Sequence, residues 1–397
     1  MTVGTSLDAR ALELNVKRQW RVWAGRFSSS AYAAGIDIEV NAIRNAAALL
    51  DISPLYSYRV SGPHATRLVD RVITRDATRM APGQVIYTPW CDEDGKVVDD
   101  GTVARLDDDA FRWTAADPQL RWLRMHARGL DVTVEETSEA IAALALQGPL
   151  SRAVLEAASG VDLSGLGYFR RRELTIGDLV VDVSRTGYTG DLGYELWIAA
   201  DRAVALWDAL MESGRAYALR PAGVWALDVA RIEAGLIMLD VDYTSSTHAS
   251  TAEQSWSPAE LGLGRLVDLV KATPFTGRAA LVRERDRGGP ARRLVGLELD
   301  WEDLERLTAQ HGLTPTLSPI AWRSQIPVFA AGRQIGKATS GTWSPLLKKL
   351  IALASVEATY EPAGTPLQME WTVEGVRGRI GATVTPLPFY DPAHKRA

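Results

Sequence analysis

Residues 184–198 read SRTGYTGDLGYELWI and combine a glycine-rich turn with a carboxylate that a turn does not need. Gly187 and Gly190 suit a tight turn with positive φ. Glu195 follows at once and opens the apolar run ELWIA. A carboxylate facing inward there can accept two N–H bonds from the amino and ring N–H groups of a ligand. Buried without such donors, it would cost free energy. The plain alternative is a hairpin turn followed by a solvated glutamate, and spacing alone leaves it open.

The surrounding elements must hold that turn in place. Residues 36–50, IDIEVNAIRNAAALL, have helical periodicity. They lead into a predicted strand, a turn at Ser61-Gly62-Pro63 and a helix beginning near His64. Residues 84–106 read as a hairpin turning at 92–95, and ALALQGP as a strand ended by Gly148-Pro149 before a helix. Two more helices are expected at 202–214 and 223–235. In the second, Asp228 lies three residues before Arg231 and can pair with it; this set, with Glu39 and Arg44, reads as structural. After the Gly/Arg/Pro-rich linker 284–293 the texture changes to short alternating strands, the pattern of a small barrel or sandwich. The expected units are residues 1–290 and 291–397.

Composition narrows the class. The chain has 397 residues, 46% hydrophobic and 23% charged, enough for more than one core. A net charge of -5 without a basic stripe gives no nucleic-acid footprint. No apolar run is long enough for a membrane span, and the first twenty residues lack the apolar core of a secretory signal. The expected location is therefore cytoplasmic. The single cysteine, Cys91, excludes an internal disulfide and an all-cysteine metal site, and no metal is expected. Thirteen tryptophans supply material for cores and for pockets holding flat or cationic ligands.

TGYTGDLGYEL resembles the T-G-Y-T-G-E-x-G-[YF]-E signature of the glycine-cleavage T-protein (aminomethyltransferase) superfamily. The likeness continues in order through EVNAIRNAAALLDISP, GKVVDDG, ALALQGP, DVARIEAGL, FTGRAAL, RRLVGLEL and ATSGTWSPLLKKLIALASV. Ordered matches along nearly the whole chain are specific where one would not be. The resemblance implies an α+β fold: a three-domain cloverleaf of two intertwined α+β folate-binding domains and a C-terminal β-barrel. It implies tetrahydrofolate as cofactor. It also implies that Glu195 recognises the pterin, that Asp99 is the functional acid near its reactive nitrogens, with Asp100 a secondary partner, and that Tyr188 and Tyr87 line the folate site.

Departures from the family pattern fall elsewhere. Pro54 replaces the histidine of D-V-S-H, and Leu227 replaces an arginine associated with the T-protein channel. QWRVWAGRFSSSAY stands in place of F-x-G-W-x-M-P, and the stretch after Gly235 is rewritten. Folate-end residues are kept, while those facing the second substrate change. The favoured reading is a tetrahydrofolate-dependent demethylase that takes a methyl group from oxygen, sulfur or nitrogen of a small-molecule donor. The alternative is the aminomethyltransferase of glycine cleavage, with a lipoyl carrier protein as partner. A non-enzymatic folate binder lacks its cysteine motif here, and a flavin domain has no G-x-G-x-x-G to announce it. For the demethylase, Trp20, Trp23, Tyr32 and Trp256 are candidate pocket walls, and Tyr243 and His248 candidate acids. Arg333, Lys348 and Lys349 are possible contacts for the folate tail.

Overall fold

A computed structural model describes residues 3–396. One sheet has six strands in the order Arg171–Ile176, Leu179–Ser184, Gly193–Ala199, Ile141–Gln147, Ala48–Asp51 and Arg220–Pro221. A second has five, in the order Val85–Cys91, Val97–Asp107, Ala110–Ala115, Tyr56–Ser61 and Thr133–Glu136. The chain enters the first sheet at Ala48–Asp51, leaves to build the whole second sheet, and returns at Ile141–Gln147. The first sheet is therefore split in sequence around the whole of the second, so the two α+β units are interlaced. The strands from Arg292–Leu299 to Val376–Thr385 close into a six-stranded barrel. The α+β class and the C-terminal barrel expected from the sequence are both present.

Strand alternation decides what each face of the six-stranded sheet does. Leu144, Leu146, Tyr194, Leu196 and Ile198 pack into one core beneath helices Ser151–Ser159 and Ala203–Ser213. Ala143, Ala145 and Trp197 point the other way, toward helices Ile36–Asn45 and Val224–Glu233. Glu195 pairs with Ala145 in register and shares that second face.

The expected helix over 36–50 is two elements. It stops at Asn45, and Ala46 leaves helical space at φ -142°, ψ -114°. The following Ala48–Asp51 is a strand antiparallel to Ile141–Gln147. Four alanines in twelve residues carry no stop signal, and a short buried apolar run fits either state until its pairing partner is known. The hairpin reading at 84–106 matches its strands, and the Asp92 carboxylate accepts the N–H groups of Asp94 and Lys96 at 3.0 and 2.9 Å.

Two buried ion networks join the layers. Arg44 donates to Glu233 at 2.8 Å and to the Thr189 carbonyl at 2.9 Å, with Asp191 3.3 Å away. Ser344 of the barrel donates to the other Glu233 oxygen at 2.6 Å. Arg231 pairs with Asp228 at 3.1 Å and Asp242 at 2.5 Å, and Asp242 accepts from barrel residues Thr339 and Ser340 at 2.6 and 2.7 Å. Past the barrel the chain turns back. The Tyr390 N–H donates to the Glu233 carbonyl at 2.9 Å, and His394 meets Asp191 at 2.7 Å. No helix among the described residues is long and apolar enough to cross a membrane.

Candidate active site

The three parts surround a cavity of about 1520 Å³, walled by both sheets, the 234–241 loop and the start of the barrel. Glu195, Tyr188, Tyr87 and Trp23 line it. So do Asp100, Gln147, Trp197 and Leu227.

The glycine-rich turn is shaped around one side chain. A Cβ on Gly187 would lie 2.1 Å from the Gln147 carbonyl oxygen, and one on Gly193 2.3 Å from its nitrogen. Gln147 accepts from Thr189 Oγ1 at 2.8 Å and donates to the Thr186 carbonyl at 3.2 Å. Only Gly190 has positive φ, +74°, where an added Cβ would also strike Ala234 at 2.4 Å. The turn therefore wraps Gln147 and delivers Glu195 to the cavity.

Thr186 Oγ1 donates to one Glu195 oxygen at 2.7 Å, the one hydrogen bond to that carboxylate among the described residues. Burial raises the Glu195 pKa, against the Thr186 hydroxyl and the Arg112 charge. Two residues on, the Trp197 indole N–H is buried without a hydrogen-bond partner among the described residues, and Arg112 stacks 4.2 Å over its ring. A carboxylate with unused acceptor capacity thus sits two residues from an aromatic ring in the same wall. That arrangement fits a flat heterocycle that presents N–H donors at its edge, as a pterin does.

The adjacent aspartates do different jobs. Asp99 is fully buried and does not line the cavity. Its carboxylate accepts the backbone N–H groups of Asp100, Ala116 and Asp117 at 2.7, 3.1 and 3.0 Å, which pins the loop after Ala110–Ala115. Asp100 faces the cavity, where the Tyr87 hydroxyl donates to it at 2.6 Å and the Tyr243 hydroxyl donates to its other oxygen. Burial raises both carboxyl pKa values, and for Asp99 the neighbouring Asp100 charge adds to the effect. The resemblance pointed to Asp99; the side chain that reaches the cavity is Asp100. Neighbours in a strand face opposite ways, and the motif alone does not say which one faces in.

The remaining candidates divide. Tyr188 lines the cavity and donates its hydroxyl to the Ile237 carbonyl. Tyr243 is buried behind Asp100. His248 is exposed on its loop, 3.4 Å from cavity-lining Asp117. Asp117, Asp240 and His248 bring ligand atoms within 4.8 Å of one another. Of the tryptophan and tyrosine walls, only Trp23 is at the cavity. Trp20 and Tyr32 pack into the core under the six-stranded sheet, Tyr32 against Trp207. Trp256 is buried beneath Arg292 at 3.9 Å. Apolar burial claimed these three rings. Arg333, Lys348 and Lys349 are exposed on the barrel, away from the cavity lining. Sequence reasoning passed over Gln147, Trp197, Arg21 and Arg323, all at the cavity. The alternation in WRVW, which puts Arg21 and Trp23 on one face, was the available signal.

The arrangement of α+β units and C-terminal barrel is shared with known proteins. The GCVT N-terminal domain model matches residues 9–271, and the glycine cleavage T-protein C-terminal barrel domain model matches residues 292–391. An aminomethyltransferase of Geobacillus thermodenitrificans is 34% identical over 366 residues, 91% of this chain and 91% of that protein. A trimethylamine-oxide aldolase of Ruegeria pomeroyi is 37% identical over 375 residues, 91% of this chain but 44% of that longer protein. The crystal structure of glycine cleavage system aminomethyltransferase T from Bartonella henselae superimposes with a TM-score of 0.82 at 25% identity, covering 98% of this chain and 99% of the other. The chain belongs to the glycine cleavage T-protein family of folate-dependent transferases.

Proposed function

We propose that this enzyme moves a one-carbon unit between tetrahydrofolate held in the central cavity and a small methylated donor, in the sense of demethylation. The observation that carries the reading is the pairing of Glu195 and Trp197 on one cavity wall with Asp100 on another. Tetrahydrofolate, when bound, supplies the nucleophilic nitrogen that accepts the carbon. Glu195 accepts N–H bonds from the pterin edge, and Gln147, locked by Thr189 and the glycines, fixes the strand that carries it. Asp100, held by the two phenols, receives or returns a proton on its cavity side and stabilises positive charge developing there. Asp99 positions Asp100 by anchoring the backbone around it. Leu227, Leu55 and Trp23 line the donor end of the cavity, and their apolar surface limits competition from water.

Likeness to aminomethyltransferases over most of both chains supports a second reading, transfer from an aminomethyl group on a lipoyl carrier protein. One experiment separates them. The purified protein is incubated with tetrahydrofolate and either a panel of methoxy, sulfonium, betaine and methylamine compounds or aminomethyl-lipoyl protein, and the folate product is followed by mass spectrometry. 5-Methyltetrahydrofolate from one small donor is the expected result. Methylenetetrahydrofolate and ammonia from the lipoyl protein alone would replace it with the second reading.

A further inference from the structure

Two guanidinium groups pair with one carboxylate behind the donor end of the cavity, and a third is near enough to feel their charges. Asp228 is fully buried on helix Val224–Glu233. One of its oxygens takes Arg231 at 3.1 Å and the other takes Arg323 at 2.6 Å. Arg231 is satisfied further by Asp242. The third group, Arg21, has no hydrogen bond and no ion pair among the described residues, although it is half-buried and lines the cavity. Arg323 lines the same cavity, and so does Leu227, the residue just before Asp228. Burial depresses the Arg21 pKa, and the Arg323 charge depresses it further while Asp228 opposes. Asp228 is already shared by its two partners, so the wall keeps one positive charge without a counter-charge.

An unpaired, partly desolvated guanidinium beside a second one is costly unless an anion reaches it. Guanidinium favours a planar carboxylate, which it holds through two parallel N–H bonds. Trp23 shares the strand face of Arg21 and offers an aromatic surface beside the anion site, suited to a methylated cationic centre. We propose that Arg21 and Arg323 form a carboxylate subsite for the one-carbon donor. The donor is then a small molecule with its methylated nitrogen or sulfur at one end and a carboxylate at the other. The assignment of the anion to a donor rests on the folate-transfer reading above. The other source of carboxylate is the glutamate tail of folate, and that tail has its own candidate: Arg75 also lines the cavity, with its guanidinium bonded, among the described residues, only to the Tyr87 carbonyl, at 3.4 Å.

The test is equilibrium binding by calorimetry, with wild type, Arg21→Gln and Arg75→Gln. The probes are trimethylammonioacetate, N-methylglycine and dimethylsulfonioacetate, each set against its alcohol counterpart, and tetrahydrofolate as mono- and pentaglutamate. Wild type should prefer at least one carboxylate over its alcohol by about tenfold or more, and Arg21→Gln should abolish that preference. Arg21→Gln should leave binding of both folates unchanged and should not lower the thermal midpoint, since Arg21 has no protein partner to lose and its unneutralised charge is costly. No carboxylate preference in wild type, or one that survives in Arg21→Gln, overturns the subsite. Loss of the pentaglutamate preference in Arg21→Gln, with the small carboxylates unaffected, gives Arg21 to the folate tail and also overturns it. Failure of wild type to bind any folate would fall on the functional reading instead; a carboxylate preference lost in Arg21→Gln would still show the anion site, and its absence would remove that too.

Discussion

The buried ion networks and the cavity wall use the same residue types and end in opposite states. In the networks every carboxylate is claimed: Glu233 by Arg44 and Ser344, and Asp242 by Arg231, Thr339 and Ser340. At the cavity, capacity is left over: Glu195 with a single hydroxyl, Trp197 with an unused N–H, Arg21 with no ion pair among the described residues. Charge that fastens the layers is neutralised internally. Charge meant for a ligand is left to be neutralised from outside, at some expense to the stability of the empty protein.

The largest expected effect comes from breaking a closed network. Arg44→Met leaves Glu233 and Asp191 short of their main cation, and should cost about 3–5 kcal/mol, read by urea denaturation. A smaller loss would mean the layers are held mainly by apolar contact.

The aspartate pair sharpens the comparison within two adjacent residues. Asp100→Asn should keep the fold and lower kcat by about 10²- to 10⁴-fold. Asp99→Asn turns an amide against the N–H groups of Ala116 and Asp117, and should cost about 1–3 kcal/mol of stability. The reverse pattern would restore Asp99 as the acid that works on the substrate.

Glu195→Gln should act in two directions at once. Binding of tetrahydrofolate should weaken by about tenfold or more. The ligand-free protein should melt higher at neutral pH. The folded carboxyl pKa is raised by burial, so the ionised form opposes folding, and this cost grows as pH climbs above the ordinary carboxyl value of about 4.3. Below that value the carboxyl is protonated in both states, and the gap between variant and wild type should close. A gap independent of pH would mean that Glu195 is already compensated within the protein.

Much of this was legible in the chain, for reasons that can be named. Turn chemistry at Asp92–Gly95 and strand alternation after Arg292 are local, and the structure follows them. Glu195 at a turn-proximal strand position was readable because acidic residues rarely open an apolar strand without use. Long-range facts were not readable. Gly187 and Gly193 are small because of Gln147, some forty residues earlier, and that side chain looked like ordinary strand sequence. Trp20, Tyr32 and Trp256 have the composition of a pocket wall, but which side of an element meets solvent or ligand is settled by packing. Arg21 and Arg323 lie far apart in sequence, and only the fold sets both at the cavity.

The return of the chain after the barrel sets an order of assembly. Asp191, buried beside the glycine-rich turn, meets His394 across 203 residues. At a synthesis rate of 5–20 residues per second, that partner arrives about 10–40 s after the aspartate. Until then the turn that carries Glu195 lacks one of its anchors, so the ligand-binding wall is completed only after the segment that follows the barrel has emerged and folded back. The segment past the barrel serves as a late latch on a site encoded far upstream.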